Sequence, residues 1–199
     1  ANASSYAEAY GVDAGDIGSF TNTGTISANA NATGSWANAY GVDAWNIGNF
    51  TNSGTISASA NASSYAEAYG VDAGDIGNFT NTGTISASAS ATNGNAWAHG
   101  VEANSGNFTN TGIILVSANA EGSDARAEGV FTYAGSISNL TNSGIISANA
   151  NATGGSAWAV GVGTEGESIG NFTNTGIISA NANATGSYAY AYGVDTGDI

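Results

Sequence analysis

The sequence lacks cysteine, proline, methionine and lysine, and Arg126 is its single basic residue against fifteen acidic ones. Without cysteine the chain can form neither disulfides nor thiolate metal sites. Lys and Arg make most protein contacts to phosphate groups. A formal net charge of −14 therefore predicts that neither nucleic acid nor an anionic membrane is a partner of this chain.

Long hydrophobic runs are missing as well. No stretch approaches the roughly 18 apolar residues that a membrane-spanning helix needs, so membrane insertion is not predicted. No signal peptide is recognisable in the sequence. The acidic composition, rich in Asn, Ser and Thr, is typical of an exported protein. We predict an extracellular or cell-surface location, with any export signal removed or lying outside this segment.

An internal repeat accounts for most of what the sequence does contain. The phrase Asn-Phe-Thr-Asn-Thr-Gly at residues 78–83 returns with small changes at residues 19–24, 49–54, 107–112, 139–144 and 171–176. A Gly-Val step recurs about every 30 residues, at Gly11, Gly41, Gly70, Gly100, Gly129, Gly161 and Gly193. This period predicts a single β-solenoid domain over residues 1–199, either an excerpt of a longer array or a protomer with open ends.

Within one copy the period is two, which is typical of β-strands. Residues 6–11, 20–23 and 26–32 each alternate inward apolar positions with outward polar or aromatic ones, and residues 12–18 read as the longest turn between them. No stretch has a helical period. Three strands in about 30 residues, with like positions recurring at a constant interval, predict an all-β parallel β-helix of six to seven rungs, three strands in each.

Stacking of such rungs about 4.8 Å apart predicts internal columns of like side chains. An aromatic column contains Phe20, Phe50, Phe79, Phe108, Leu140 and Phe172. An aliphatic column contains Ile26, Ile56, Ile85, Val116 or a neighbour, Ile146 and Ile178. An amide column, in which each side chain can bond to the next rung, contains Asn22, Asn52, Asn81, Asn110, Asn142 and Asn174. We predict a structural role for these asparagines.

The phrase Asn-Phe-Thr-Asn-Thr-Gly-Thr-Ile-Ser, repeated with Gly-Val between its copies, resembles the repeats of bacterial autotransporter passenger domains and filamentous-haemagglutinin-like adhesins. The resemblance extends over essentially the whole chain. It implies a right-handed parallel β-helix, export to the cell surface, and a role in adhesion, matrix or sheath formation. The uniform unit is more regular than in typical passenger domains, which favours a self-assembling structural element.

Catalytic chemistry has little support in the residue pattern. His99, the sole histidine, replaces a tyrosine of an outward column, so we predict a solvated surface residue. No nucleophile-elbow sequence accompanies it. Glu8 and Glu67 occupy the same position two copies apart and are not arranged as a carboxylate pair for glycoside hydrolysis. We predict no enzymatic activity and no cofactor other than a possible calcium ion.

Acidic residues recur in the segment after the Gly-Val step, and stacking would bring their like charges close together. These residues are Asp13, Asp16, Asp43, Asp72, Asp75, Asp195 and Asp198. Either the carboxylates extend separately into water, or a hard cation such as Ca²⁺ bridges them through oxygen ligands. The spacing matches neither an EF-hand loop nor the glycine-rich calcium repeat.

Aromatic residues occupy the outward phase of the strand before the Gly-Val step, and we call them the aromatic face. They are Tyr6, Tyr10, Trp36, Tyr40, Tyr65, Tyr69, Trp97, Trp158, Tyr188, Tyr190 and Tyr192. Trp45 lies in the segment that follows. Such a stripe predicts a contact surface. The alternatives are lateral packing against another solenoid, stacking on carbohydrate, and stacking between rungs for stability.

A threonine array suggests a different function. Thr-x-Thr units on the outward phase supply Thr21, Thr23, Thr51, Thr80, Thr82, Thr109, Thr111, Thr141, Thr173 and Thr175. This array resembles the flat threonine face of solenoidal ice-binding proteins, although Thr is also a common outward strand residue. Two rungs carry Ser at the second position.

Glycosylation sequons form two further columns, so attached glycans are possible. The acceptor asparagines are Asn2, Asn31, Asn61, Asn151 and Asn183 in one column and Asn49, Asn78, Asn107, Asn139 and Asn171 in the other. From these patterns together we predict an extracellular structural protein, a self-assembling fibre, sheath or adhesin stalk. An ice-binding solenoid is the alternative.

Overall fold

The computed structural model describes residues 1–133 and 135–199, which form sixteen β-strands and no helix. The strands are β1 (Asn2–Ala3), β2 (Tyr6–Asn22), β3 (Thr25–Ala32), β4 (Trp36–Asn52), β5 (Thr55–Ala62), β6 (Tyr65–Asn81), β7 (Thr84–Ala91), β8 (Asn95–Asn110), β9 (Ile113–Ala120), β10 (Ala125–Thr132), β11 (Ile137–Asn142), β12 (Ile145–Ala152), β13 (Ala157–Thr164), β14 (Ile169–Asn174), β15 (Ile177–Ala184) and β16 (Ala189–Asp195). Accordingly, no described segment is a helix long and apolar enough to cross a membrane.

Two parallel sheets run the length of the molecule. One has the order β1-β3-β5-β7-β9-β12-β15 and the other β2-β4-β6-β8-β10-β13-β16, with β11 pairing with β8 and β14. Strands that are consecutive in sequence lie mostly in opposite sheets, whereas each strand pairs with its equivalent one turn away. The fold is therefore a parallel β-solenoid of about six turns with roughly 30 residues per turn, as the sequence predicted.

The strands are longer than the sequence indicated in the first half of the chain. Residues 12–18, expected to form a turn, lie within the 17-residue strand β2, where Asp13 pairs with Asp43 and Ile17 with Ile47. The same continuity holds in β4 and β6. Backbone pairing to the next turn overrides the local turn preference of Gly and Asp, because each added turn supplies a matching partner. In the fifth and sixth turns this strand divides into two, β10 with β11 and β13 with β14.

The core is thin and consists of side chains stacked on their equivalents. Phe50 and Phe79 stack with ring centroids 4.7 Å apart, and Phe79 and Phe108 follow at 4.3 Å. In the aliphatic column, the sequence left the fourth position open between Val116 and a neighbour. Ile114 occupies this position, because it pairs with Ile85 and Ile146. Small Ala columns fill the remaining space between the sheets. The predicted internal columns are confirmed.

The glycine of the Gly-Val step is required where the two sheets approach each other. A Cβ atom placed on Gly41 would lie 2.6 Å from Cγ2 of Ile56 in the opposite wall and 2.4 Å from the carbonyl oxygen of Gly70 in the next turn. Both distances are below any normal contact. Any larger residue would therefore force the isoleucine column and the backbone of the next turn apart.

The buried amide column forms a continuous hydrogen-bonded ladder, as predicted. Asn52 donates to Oδ1 of Asn81 at 2.8 Å, and Asn81 donates to Asn110 at the same distance. Each amide also contacts the carbonyl oxygen of the glycine two residues later, as Asn81 does with Gly83 at 3.3 Å. The fully buried amides are therefore satisfied between turns, which fixes the bend after the phenylalanine column.

Candidate functional site

The aromatic face divides into stacked columns. Tyr10, Tyr40 and Tyr69 form a nearly parallel stack with centroids 4.9 and 5.1 Å apart, and His99 continues it at 4.6 Å. In the neighbouring column Trp36 lies 4.9 Å from the ring of Tyr65. Stacking between turns therefore accounts for part of the contacts of this face.

Several rings of the aromatic face remain accessible to solvent. Trp36 is 49% exposed and Trp158 is 39% exposed, although both lie in turns that have neighbours on each side. Trp45, in the segment after the Gly-Val step, is 76% exposed. Tyr188, Tyr190 and Tyr192, near the end of the described residues, are also exposed. Exposed tryptophans are thus found in the second turn and in the sixth.

Two exposed asparagine columns form ladders that were not predicted. Asn78 donates to Asn49 at 2.9 Å, Asn107 donates to Asn78 at 2.8 Å, and the series continues through Asn139 and Asn171. The second column, on the other sheet, forms two shorter ladders, Asn2–Asn31–Asn61 and Asn119–Asn151–Asn183, because Ser90 stands between Asn61 and Asn119. These ladders include the sequon asparagines, and from the second member of each ladder onward the amide nitrogen donates a cross-turn hydrogen bond. The regular recurrence of Asn on the outward phase was the signal available in the sequence.

The two threonine columns lie in different local structures. The column that begins with Thr21 is in register through all six turns, at the end of the long strands. The column of Thr23, Thr82, Thr111 and Thr175 lies in the bend that follows, and Oγ1 of Thr82 is 3.4 Å from the carbonyl oxygen of Asn52. Ice binding by these columns remains a prediction from the sequence.

Four carboxylates stack in one column. Asp13 pairs with Asp43, Asp43 with Asp72, and Asp72 with Glu102. Burial, with a contribution from the charge of Asp43, raises the pKa of Asp72 to about 6. Burial also raises the pKa of Glu102 to about 7, assisted by the charge of Asp72 and opposed by His99. Burial therefore disfavours the ionised carboxylates at this end of the column.

The other predicted acidic residues are arranged differently. In the column that begins with Asp16, amide side chains alternate with the carboxylates. Asn46 donates a hydrogen bond to Asp16 at 2.7 Å, and Asn104 donates one to Asp75 at 3.2 Å. In the last turn Asp195 pairs with Gly163, and Asp198 forms an isolated bridge with Ser168. Within residues 1–133 and 135–199, no group of three or more His, Cys, Asp or Glu side chains is placed to hold a metal ion. A calcium site thus remains a prediction.

His99 is not a solvated surface residue, so that prediction is wrong. Its side chain is fully buried, with Nδ1 2.9 Å from Oε2 of Glu128 and 3.4 Å from Oε2 of Glu102. The contact with Glu128 has the distance of an ion pair but not the orientation of a hydrogen bond. Burial disfavours the charged ring, but the adjacent carboxylates of Glu128 and Glu102 dominate and raise the pKa of His99.

Arg126 completes this buried cluster. Its Nη2 and Nε atoms lie 2.7 and 2.8 Å from Oε1 of the fully buried Glu128. The guanidinium carbon lies 5.2 Å from the ring centre of Phe131 and 5.4 Å from that of Tyr133. A single buried carboxylate thus contacts the only histidine and the only basic residue of the chain. The longer fifth turn supplies the aromatic rings that cover them.

A cleft lies next to this cluster. Trp97, Arg126 and Trp158 occupy equivalent positions in three successive turns. The two tryptophans and the arginine line a cavity of about 250 Å³, together with Asp124 and Glu165. Sequence reasoning assigned both tryptophans to the aromatic face but gave no indication of the cavity, because its acidic residues come from irregular segments between strands.

No protein-family model matches the chain, and searches of curated proteins and of solved structures found no match either.

Proposed function

We propose that this chain is a structural element of the cell exterior, a rigid β-solenoid rod that associates laterally into a fibre, sheath or stalk. The observation that carries the proposal is the continuity of the internal columns. The phenylalanine stack and the buried asparagine ladder pass from turn to turn in register. A rod built in this way has no internal hinge along these columns and is suited to bearing load.

Stiffness in this fold arises from cooperation between turns. Each turn buries its apolar surface only against its neighbours, so stability grows with the number of stacked turns. The absence of Lys, together with one partly buried Arg, leaves trypsin-like proteases a single cleavage position. Both features support a role in which the protein persists outside the cell.

Lateral association is assigned to the protruding tryptophans of the first turns. Trp36 and Trp45 are 49% and 76% exposed, and both lie in strand β4 of the second turn. The partner we propose is a second copy of this chain. In the Trp36 column the rings of Tyr6, Trp36 and Tyr65 repeat over the first three turns, so rings of one rod can meet those of a second copy at the same spacing.

Electron microscopy and sedimentation of the purified chain test the proposal. We expect bundled or laterally paired rods, and dissociation to single rods when Trp36 and Trp45 are both changed to Ser. Leu115→Ser is the matched control, because Leu115 is 43% exposed on the other sheet. Single rods at every concentration, or equal loss of association in the control, would contradict lateral self-association.

A further inference from the structure

The cleft between Trp97 and Trp158 has the form of a ligand site. Because the two residues lie two turns apart in one column, their strands are separated by about 10 Å, twice the spacing of paired strands. The side chain of Arg126 lies between them. The space enclosed is about 250 Å³, open to solvent and walled by two aromatic rings. It is therefore large enough for a small organic group and has flat apolar sides.

The base of the cleft is held in place before any ligand enters. Arg126 is fixed by two contacts to Glu128, at 2.7 and 2.8 Å, and by the rings of Phe131 and Tyr133 behind it. Its side chain is still 27% exposed. The guanidinium group can therefore present a remaining N–H to a ligand without having to be ordered on binding, which lowers the entropic cost of association.

Polar groups at the rim add to this arrangement. Oδ1 of Asp124 accepts a hydrogen bond from the backbone N–H of Ser156 at 2.7 Å, which fixes its carboxylate. Glu165 lines the same cavity. A second cavity of about 310 Å³ on the other side of Trp158 also contains Arg126 and Glu165 in its lining. The two cavities share Arg126, Trp158 and Glu165 in their linings, so they adjoin each other, and we call them together the groove.

The charges restrict the class of ligand. An anionic ligand would approach a chain with a net charge of −14, whose one arginine is already paired with a carboxylate. A cationic ligand between the tryptophans would meet the guanidinium of Arg126. Flat aromatic walls with fixed carboxylates and a guanidinium N–H suit a neutral molecule that has apolar faces and many hydroxyl groups. We propose that this groove binds an uncharged oligosaccharide.

The first three turns do not carry such a site. The column that contains Trp97, Arg126 and Trp158 begins with Glu8, Asn38 and Glu67. Without two aromatic walls there is no cleft, although aromatic residues are abundant nearby. The saccharide site is thus a property of turns four to six, and it does not depend on lateral association of the rods.

Titration of the intact chain with three uncharged hexasaccharides tests the site: cellohexaose, maltohexaose and N-acetylchitohexaose. We expect quenching or a blue shift of tryptophan fluorescence with at least one of them, and matching heat by calorimetry. Trp158→Ala and Trp97→Ala should each weaken binding at least tenfold. Trp45→Ala is the control and should leave the affinity unchanged, because Trp45 lies outside the groove.

Circular dichroism and the melting temperature show whether each variant retains the solenoid. Glu165→Gln provides a variant that keeps both aromatic walls, and it should weaken binding three- to tenfold. Choline is the comparison probe for a cationic ligand. Absence of binding by all three hexasaccharides, binding of choline alone, or an equal loss of affinity in Trp45→Ala would each overturn the proposal.

Discussion

The first three turns and the last three share one interior and differ on the outside. Inside, the phenylalanine and asparagine columns continue through both halves with a single Leu140 substitution. In the columns of outward phase, the tyrosine stack of turns one to three gives way to His99 and Glu128, which are covered and buried, and the Glu8 column gives way to Trp97, Arg126 and Trp158. Inward residues therefore specify the fold, whereas outward columns are free to acquire chemistry.

The largest predicted effect distinguishes the two halves. Replacing Glu128 by Ala should lower the free energy of unfolding by about 3 kcal/mol or more, because Arg126 and His99 would lose their buried counter-ion. Glu67→Ala is the matched change in the first half, where the carboxylate accepts a hydrogen bond from Tyr69 at 2.7 Å at a partly exposed site. It should cost about 1 kcal/mol or less. Equal losses in urea unfolding would show that the halves do not differ in this way.

For the shared interior we expect equal losses of stability in the two halves. Asn81→Ala in the first half and Asn110→Ala in the second each remove one amide from the buried ladder and leave two fully buried neighbours with an unmade bond. Each should cost about 2 to 3 kcal/mol, and the two costs should agree. Asn78→Ala, in an exposed ladder, is the control with a smaller expected loss. Clearly unequal costs for the two buried amides would argue against a uniform interior.

Stability should rise as the pH falls from 8 to 5. The folded-state pKa values of Asp72, about 6, and Glu102, about 7, exceed their ordinary values of 3.8 and 4.5, so the folded state takes up these protons first. The raised pKa of His99 acts in the same direction, because its stabilising charge is lost as the pH rises. A gain on the order of 2 kcal/mol is expected.

Thermal unfolding at each pH measures this gain. The Glu102→Gln variant should show a flatter dependence than the unchanged chain, because one of the titrating carboxyls is gone. Identical slopes of stability against pH in the variant and the unchanged chain would show that Glu102 does not contribute to the pH dependence. A variant of Asp13, at the solvent end of the same column, should leave the slope nearly unchanged.

The smallest predicted effect concerns the acidic column of the first half. Burial and the neighbouring charge of Asp13 raise the pKa of Asp43, so its ionised form is disfavoured in the fold. Asp43→Asn should therefore raise stability by about 0.5 kcal/mol at pH 8. Melting curves with and without Ca²⁺ provide the check. If Ca²⁺ stabilises the unchanged chain and not the variant, the column binds the ion and the simple repulsion argument fails.

Much of the interior could be predicted from the sequence, because a repeat in register makes each column visible as a period. Phe79 and Asn81 were assigned correctly on that basis. The burial of His99 was not predicted. It depends on Glu128 and Tyr133, which belong to the next turn and its longer connection. The groove beside Trp158 was not predicted for a similar reason. Asp124 and Glu165 come from segments without a period, so their positions follow from three-dimensional packing alone.

The asparagine ladders have opposite polarity along the rod. In the buried ladder each amide donates toward the following turn, as Asn52 does to Asn81, whereas in the exposed ladders each donates toward the preceding turn, as Asn78 does to Asn49. Amide dipoles aligned in one sense would add up along the axis. The exposed rows oppose the buried row instead, so the moment that the buried ladder would build up as turns are added is offset along the rod.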